Sequence, residues 1–502
     1  MNRLHCALAF TACAALACAS NAQEGNRADG DGGGDLGSST GTGAQGPADG
    51  EGLTSDATCA PDAIVALPAG HRMASALYAI SALEAGIPPD PALLRRDDFQ
   101  RYFAPPPGST PGSYGRFTAN GISTDGMPQA LLEAGVVSAA PATPTPVHLI
   151  AVVDESSSMR EEIALAADLV AQMTLPGALG SAKDDRLTVI EWTDQPVALL
   201  TNASAKDGVF DTTAPVADLR KRATGQLAGA PSFEQLRAVV GDAIDASEAT
   251  PHVVVLTDGG FDLDTTAIAT LEGWSARGAI ASVVELHGLA EISDDAMPYH
   301  PELGAAFSGG LDLFIGARAG LVPTDEAVVF HDSFAQLFRP STQRAVASLA
   351  APGFRFEAFD AAGTPGDGSV RVAWIGDGGF TPVRASMIAC SDAFPDKAVV
   401  EAGAGEGDPD RAAFTAFRLD VPPPDPQSLS EARTLRMSFV DRLVSVLESK
   451  CDLSQASPYA LLVADLDTTM QANGLDGDAL AEHQVIVGRM QHWLGLYPSA
   501  CQ

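Results

Sequence analysis

The sequence predicts an α/β fold: a doubly wound, mostly parallel sheet with an added β-sandwich segment and a helical C-terminal region. From residue 146 onward, apolar runs of strand length alternate with amphipathic helical patterns, which indicates parallel strands joined by helices. Residues 341–425 hold short alternating stretches between Gly-rich turns, a pattern typical of an antiparallel sandwich. After the three prolines at 422–424 the periodicity becomes helical.

The composition is that of a globular protein, and it excludes one class of partner. Of the 502 residues, 46% are hydrophobic and 19% are charged, which allows two or three domains with cores of their own. Acidic residues outnumber basic ones 64 to 30, and the net charge is −34. Such a surface repels nucleic acid and attracts divalent cations, so we expect no nucleic-acid partner.

The N-terminal residues 1–22 have the pattern of a secretory signal. A positive charge at Arg3 precedes an apolar run that ends at Cys18 and is too short to span a bilayer. The triplet ending at Ala22 fits signal peptidase cleavage before Gln23. The Leu-Ala-Cys triplet ending at Cys18 instead resembles a lipoprotein box, and a lipid on Cys18 would be the only membrane attachment. We expect export, to the periplasm or the cell surface, with the lipid anchor left open.

Two segments separate the signal from the α/β region. Residues 23–58 are rich in Gly, Asp, Ser and Thr, which predicts a flexible acidic spacer. Residues 59–145 predict a helix around Met73 to Leu83 and a second short helix that ends before Pro105, while 104–145 show little periodicity. The segment is therefore expected to be helical and irregular.

The α/β region spans residues 146–338, and its elements follow from apolar runs and helical spacing. We predict strands at Leu149–Val153, Leu187–Trp192, Val253–Leu256, Ile280–Leu286 and Leu311–Ile315. We predict helices at Ile163–Met173, Phe233–Ala246, Ala267–Arg277 and from Ser333 to Phe338. The remaining divisions are a β-rich domain at 339–426 and a helical region at 427–502.

Four cysteines lie outside the signal: Cys59, Cys390, Cys451 and Cys501. In an exported protein they predict two disulfides with three alternative pairings. We favour Cys451 with Cys501, because that bond would close one C-terminal helical unit. No two of them stand in a Cys-x-x-Cys arrangement, which disfavours a zinc site made of these cysteines.

Oxygen-bearing side chains follow two predicted strands at the point where each strand ends. Asp154 ends the first strand of the α/β region, and Ser156 and Ser158 follow it at alternate positions. Asp258 comes directly after the strand at Val253–Leu256. The carboxyl ends of parallel strands meet at one edge, where ligands bind in such sheets. Hard oxygen ligands suit Mg²⁺, Mn²⁺ or Ca²⁺, so the sequence predicts a divalent cation site there.

These residues resemble the metal-ion-dependent adhesion site of von Willebrand factor A (vWA) domains. The similarity covers residues 146–338, including the Asp-Glu-Ser-Ser-Ser run from Asp154 and the Thr-Asp-Gly run around Asp258. The resemblance implies a Rossmann-like doubly wound sheet. It also implies that Asp154, Ser156 and Ser158 hold the cation directly or through water, that Asp258 completes the sphere, and that a protein partner offers a carboxylate to the open position.

One loop departs from the family pattern. The family's middle metal loop reads close to Gly-Gly-Thr-x-Thr, and its first Thr reaches the metal. The corresponding residues here run from Ala228 to Ser232, so Ala230 stands where that Thr is expected. Ser232 is then the residue of this loop that could supply an oxygen.

The resemblance extends beyond the α/β region. The prolines at 88–89 and the segment 95–103 are similar to the stretch that precedes the vWA domain in a group of bacterial exported vWA proteins. The resulting expectation is a non-enzymatic envelope protein that binds a cation and mediates protein interaction or adhesion. The alternative is a metal-independent envelope scaffold with a degenerate site. His287 and His300 match no usual zinc spacing and are expected to be solvated loop residues.

Overall fold

The computed structural model describes most of the chain after residue 61. The described residues are 62–66, 71–105, 109–110, 112–122, 127–137, 146–174, 184–223, 232–246, 248–261, 263–287, 299–307, 310–316, 340–350, 353–358, 373–376, 380–390, 397–404, 412–418, 428–472, 474–475 and 477–502. The predicted signal, the acidic spacer and the predicted helix from Ser333 to Phe338 lie outside these residues.

The elements follow one another in three groups. The N-terminal group is β1 (Asp62–Ala66), β2 (His71–Arg72), α1 (Ala74–Ala85), α2 (Arg96–Tyr102), β3 (Gly112–Ile122) and β4 (Pro128–Val137). The central group is β5 (Val147–Asp154), α3 (Ile163–Met173), β6 (Arg186–Trp192), β7 (Val197–Ser204), α4 (Thr213–Arg222), α5 (Phe233–Asp245), β8 (Thr250–Thr257), α6 (Thr265–Ala276), β9 (Ile280–His287), α7 (Pro301–Ala306) and β10 (Leu311–Gly316). The C-terminal group is β11 (Pro340–Ala350), β12 (Phe354–Ala358), β13 (Ala373–Gly376), β14 (Phe380–Ala389), β15 (Lys397–Ala404), β16 (Ala412–Arg418), α8 (Leu429–Glu448), α9 (Leu453–Ala472) and α10 (Gly477–Ala500).

Within the described residues, the strands of the central group and β2 form a seven-stranded sheet in the order β2-β10-β9-β8-β5-β6-β7. All neighbouring pairs are parallel except β6 with β7. The chain moves outward from β5 to β7 and then returns to β8 on the other side of β5. That reversal confirms the doubly wound α/β fold, and it opens a crevice between the ends of β5 and β8, where ligands bind in open sheets of this type.

Both faces of this sheet are covered, so its central strands are buried along their whole length. Every residue of β5 is buried. Leu149, Ala151 and Val153 belong to the core under α3, whereas Ile150 and Val152 belong to the core under α5 and α6. This alternation follows from the two-residue period of a strand and explains the uninterrupted apolar run. The first of these cores continues into α1, α8, α9 and α10.

A second sheet of nine strands has the order β1-β11-β15-β16-β3-β4-β14-β12, with β13 paired to β11. All its pairs are antiparallel except β16 with β3. The antiparallel character of the β-rich segment is therefore confirmed, and its extent is larger than the sequence indicated. Strands β3 and β4 come from residues 104–145, where the sequence analysis found little periodicity. In β4 the buried alternate positions include two alanines, Ala130 and Ala134, which weaken the hydrophobic signal.

The C-terminal helices are held by aromatic contacts with residues 99–103 and by a disulfide within the C-terminal region. Trp493 of α10 packs its ring against Phe99, Tyr102 and Phe103 at centroid distances of 5.4, 5.3 and 5.6 Å. Cys451 and Cys501 are disulfide-bonded, with 5.4 Å between their Cα atoms, which confirms the pairing we favoured. Cys390 is also disulfide-bonded.

None of the helices in the described residues combines the length and the apolar character that crossing a bilayer requires.

Candidate metal centre

Asp154 is the last residue of β5 and is fully buried. Its Oδ1 accepts a hydrogen bond from the Ser156 N–H at 2.8 Å, and its Oδ2 accepts one from the Thr257 hydroxyl at 2.7 Å. Burial raises the pKa of Asp154 to about 6, the two hydrogen bonds lower it, and the negative charge of Asp258 raises it. An ionised Asp154 is therefore costly in this environment, and a bound cation would offset that cost.

The two predicted serines lie together directly after Asp154. The Ser156 and Ser158 hydroxyl oxygens are 2.8 Å apart, and a short 3-10 turn at Ser158–Arg160 leads into α3. Ser156 is buried, whereas Ser158 is exposed. The pair therefore reaches from the interior of the sheet edge to solvent.

Asp258 approaches Ser158 from the neighbouring strand β8. Its Oδ1 accepts a hydrogen bond from the Gly260 N–H at 2.8 Å. A Cβ atom placed on Gly260 would lie 2.9 Å from the Ser158 hydroxyl oxygen and 3.0 Å from Asp258 Oδ1. The hydroxyl and the carboxylate thus face the same small space beside Gly260. Asp154, Ser156, Ser158 and Asp258 are brought together at one edge of the sheet.

The donor set fits the hard cation that the family resemblance implies. Two carboxylates and two hydroxyls supply oxygen only, the ligand type that Mg²⁺, Mn²⁺ and Ca²⁺ prefer. The space beside Gly260 is one that a Cβ would fill, so the small residue keeps it open.

Ser232 lies close to this edge of the sheet through its backbone. It precedes α5, where its side chain makes no capping hydrogen bond. Its backbone carbonyl accepts a hydrogen bond from Trp192 Nε1 at 3.3 Å, and Trp192 pairs with Asp154 in the β5–β6 register. Residues 228–231 of this loop lie outside the described residues, so the metal role of Ser232 stays a prediction.

Glu155, the second residue of the motif, contacts a different set of side chains. It is 2% exposed, and its Oε2 lies 3.8 Å from Arg222 Nε. Arg222 Nη2 in turn lies 3.1 Å from Glu191 Oε1. Burial raises the pKa of Glu155 to about 8, and the negative charge of Glu191 adds to that effect. The Glu155 carboxyl is therefore harder to ionise than an exposed glutamate, because it is buried beside Glu191.

A second cluster, formed by Glu285, His287 and His300 and not predicted from the sequence, lies one strand farther along the sheet. His287, expected in a solvated loop, is the last residue of β9 and is 1% exposed. Its Nε2 lies 2.7 Å from Glu285 Oε1, and His300 Nδ1 lies 2.7 Å from the same oxygen. The available signal was the Glu-x-His spacing at the end of a strand, which puts both side chains on one face.

This cluster adjoins the turn that carries Asp258. Glu285 pairs with Thr257 in the β8–β9 register. Gly259 has φ +83°, and a Cβ there would lie 2.6 Å from His300 Nδ1. Burial would raise the pKa of Glu285, but hydrogen bonds from His287 and His300 outweigh burial and lower it. Glu285 is therefore a carboxylate beside two imidazoles.

Comparison with known proteins finds similarity only among solved structures. No family model and no curated protein matches the chain. A von Willebrand factor type A structure from Catenulispora acidiphila is 12% identical, with 73% of this chain and 88% of that chain covered and a TM-score of 0.39. The ArnB paralog VWA2 from Sulfolobus acidocaldarius is 13% identical, with coverages of 77% and 99% and a TM-score of 0.33. The pilus adhesin SpaC from Lactobacillus rhamnosus GG is 10% identical, with coverages of 60% and 47% and a TM-score of 0.30.

Proposed function

We propose that the protein is an exported, non-enzymatic binding module of the vWA type. In this proposal a divalent cation bound at Asp154, Ser156, Ser158 and Asp258 recruits a carboxylate from a protein partner. The observation that carries the proposal is the meeting of two carboxylates and two hydroxyls at the point where the strand order reverses. Export rests on the signal pattern of residues 1–22.

The electrostatics of the site support a cation. Asp154 and Asp258 are both buried, with 0% and 4% of their surface exposed, at the edge of a sheet. Two carboxylates held close together in a medium of low dielectric repel each other, and a divalent ion removes that repulsion. The excess of acidic residues over the whole chain also raises the local concentration of cations.

The exposure of the ligands supports a partner. Asp154 and Ser156 are buried, while Ser158 reaches solvent, so a cation held among them would have one accessible side. A partner carboxylate could bind from that side as an additional hard oxygen ligand. The residues of this chain bind and orient the ion, and the partner supplies the remaining charge.

The test is a titration of the full chain with Mg²⁺ by isothermal calorimetry. We expect binding by the wild-type chain and none by Asp154→Asn, which keeps the shape of the side chain but removes its charge. Glu155→Gln is the matched control, because the neighbouring carboxyl faces Arg222 and Glu191 instead. Absence of binding by the wild-type chain at millimolar Mg²⁺ would contradict the metal assignment.

A metal-independent envelope scaffold is the second candidate function. Ala230, where the family has a metal-binding Thr, favours it. The two functions differ in the effect of a chelator on partner capture from envelope extract. Capture that EDTA abolishes, and that Asp154→Asn also abolishes, supports the cation-dependent module. Capture that survives both changes supports the scaffold.

A further inference from the structure

The cluster of Glu285, His287 and His300 has the geometry and the chemistry of a metal site of a different kind. One ligand atom from each residue, a carboxylate oxygen and two imidazole nitrogens, lies within 4.8 Å of the others. The side chains of Glu285 and His287 are each 2% exposed, and that of His300 is 36% exposed. The three groups therefore converge in a buried space with one accessible side.

Three nitrogens crowd a single oxygen in this cluster. Glu285 Oε1 lies 2.7 Å from His287 Nε2, 2.7 Å from His300 Nδ1 and 2.9 Å from the His300 backbone nitrogen. A carboxylate oxygen offers two lone pairs, which the two imidazole nitrogens occupy, and the His300 backbone N–H is shared with Glu285 Oε2 at 3.3 Å. A cation among the three side chains would let each imidazole nitrogen and the carboxylate act as ligands instead.

Neighbouring groups restrict the positions of all three side chains. The His287 ring stacks on Phe314 at a centroid distance of 5.2 Å and an interplanar angle of 26°. The backbone N–H of His300 donates to the Glu285 carboxylate, which fixes both residues relative to β9. Contacts from neighbouring groups orient the residues that bind a metal directly and increase its affinity.

The ligand types select the metal. Two imidazoles and one carboxylate suit Zn²⁺ and related transition metals, whereas the oxygen-only set at Asp154 suits Mg²⁺ or Ca²⁺. Three protein ligands leave a fourth position, and the exposed side of His300 gives it access to water. We propose that Glu285, His287 and His300 form a second metal site, which binds a zinc-class divalent ion beside the Asp258 turn.

The position of the site indicates what the ion would do. His300 packs against Gly259, the residue that follows Asp258, and Glu285 is paired with Thr257 in the adjacent strand. An ion that ties His300 to β9 therefore also fixes the turn that presents Asp258. The second site stabilises the geometry of the first, although it binds its own ion with its own ligands.

Cobalt provides the test, because Co²⁺ bound by imidazoles in a four- or five-coordinate site absorbs visible light strongly and can be displaced by Zn²⁺. Every chain in this experiment carries Asp154→Asn, so the site at Asp154 contributes no binding. The result is then independent of whether that site binds a cation. We expect one Co²⁺ per chain with visible absorption that Zn²⁺ abolishes. His300→Gln should weaken this binding on the order of 100-fold or more.

The controls separate ligation from folding. His492→Gln is the matched substitution, because His492 lies on α10 with its side chain 46% exposed. It should bind Co²⁺ like the parent. His287→Gln should lose the absorption. If that variant fails to fold, Co²⁺ binding by His300→Gln decides the question, because His300 is half-exposed. Absence of the absorption in the parent, or binding by His300→Gln equal to that of the parent, would overturn the proposal.

Discussion

Asp154 shows how one residue acquires its chemistry from its position. As the last residue of β5 it is fully buried, and its two oxygens accept hydrogen bonds from Ser156 and Thr257. Burial and hydrogen bonding act on its pKa in opposite directions, and burial prevails. The same aspartate on an exposed loop would ionise freely and would gain less from a cation.

Gly259 is the residue whose replacement tests the contact between the two clusters. An alanine there would adopt φ +83° and would place its Cβ 2.6 Å from His300 Nδ1. Gly278 has the same φ of +83° with nothing within 4 Å, so Gly278→Ala measures the backbone strain alone. We expect Gly259→Ala to lower the free energy of unfolding by about 1–3 kcal/mol more than Gly278→Ala. Equal losses in urea unfolding would show that His300 does not occupy this place.

At the scale of elements, the ends of the strands determine which side chains meet. Asp154 ends β5, Asp258 directly follows β8, and Glu285 lies two residues before the end of β9. These three strands are neighbours in the sheet. Residues far apart in the chain are therefore close in space. The parallel pairing, not the spacing in the sequence, brings the two clusters side by side.

The contact between α8 and α10 depends on a buried charged group. Glu482 of α10 accepts hydrogen bonds from Arg433 at 2.9 and 2.6 Å and also contacts Arg436. We expect Glu482→Gln to lower the free energy of unfolding by about 3–5 kcal/mol, because it leaves two buried cations without their counter-ion. Glu448→Gln, which breaks the exposed pair with Arg96, should cost about 1 kcal/mol or less. Chemical denaturation at pH 7 measures both.

The contacts of Glu482 with Arg433 and Arg436 predict a response of the stability to acid. Burial would raise the pKa of Glu482, but its bonds and charge interactions with Arg433 and Arg436 lower it overall. A carboxyl whose folded pKa is lowered contributes stability above its unfolded pKa of about 4.3, and that contribution is lost as the pH falls through the folded value. The difference in stability between the wild type and Glu482→Gln should therefore shrink below about pH 4. An unchanged difference at pH 3 would contradict the ionised state of Glu482.

At the scale of the whole molecule, the continuous core joins segments that are distant in the sequence. One hydrophobic cluster contains residues of α1, of the central sheet and of the C-terminal helices. The nine-stranded sheet likewise draws strands from both sides of the central region. Unfolding of the described part from residue 62 onward is therefore expected to involve the central sheet together with these flanking elements.

Two histidines in the central sheet predict a loss of stability in mild acid. Burial lowers the pKa of His148 to about 4 and that of His252 to about 3. The unfolded chain binds these protons below about pH 6.5, whereas the folded chain does not, so stability falls as the pH decreases from 6.5. At pH 5 the contribution of His148 alone is about 2 kcal/mol.

The measurement compares urea unfolding at pH 7 and pH 5. His148→Gln does not titrate in this range and retains a donor for Thr188, which lies 2.8 Å from His148 Nε2. The variant should lose about 2 kcal/mol less than the wild type between the two pH values. His492→Gln, changed on an exposed helix, should follow the wild type. Parallel losses in the wild type and His148→Gln would contradict a neutral buried imidazole.

Much of the architecture could be read from periodic patterns, and the failures have physical causes. The strands β5, β6, β8, β9 and β10 were predicted because full burial demands uninterrupted apolar residues. Strand β7 was not predicted, because as an antiparallel edge strand it is largely exposed and lacks such a run. Strands β3 and β4 were hidden by glycines and alanines, whose small side chains give little contrast.

The sequence by itself left three disulfide pairings open, and the structure selects the favoured one, Cys451 with Cys501. The sequence determined the doubly wound sheet and the grouping of Asp154, Ser156, Ser158 and Asp258. These features follow from local patterns or from short runs at strand ends. Tertiary structure alone decided the burial of Glu155 against Glu191 and Arg222, and the meeting of Glu285 and His287 with His300. The reason is physical: burial, charge and ligand geometry depend on which strands become neighbours, and that neighbourhood is set by the folded sheet.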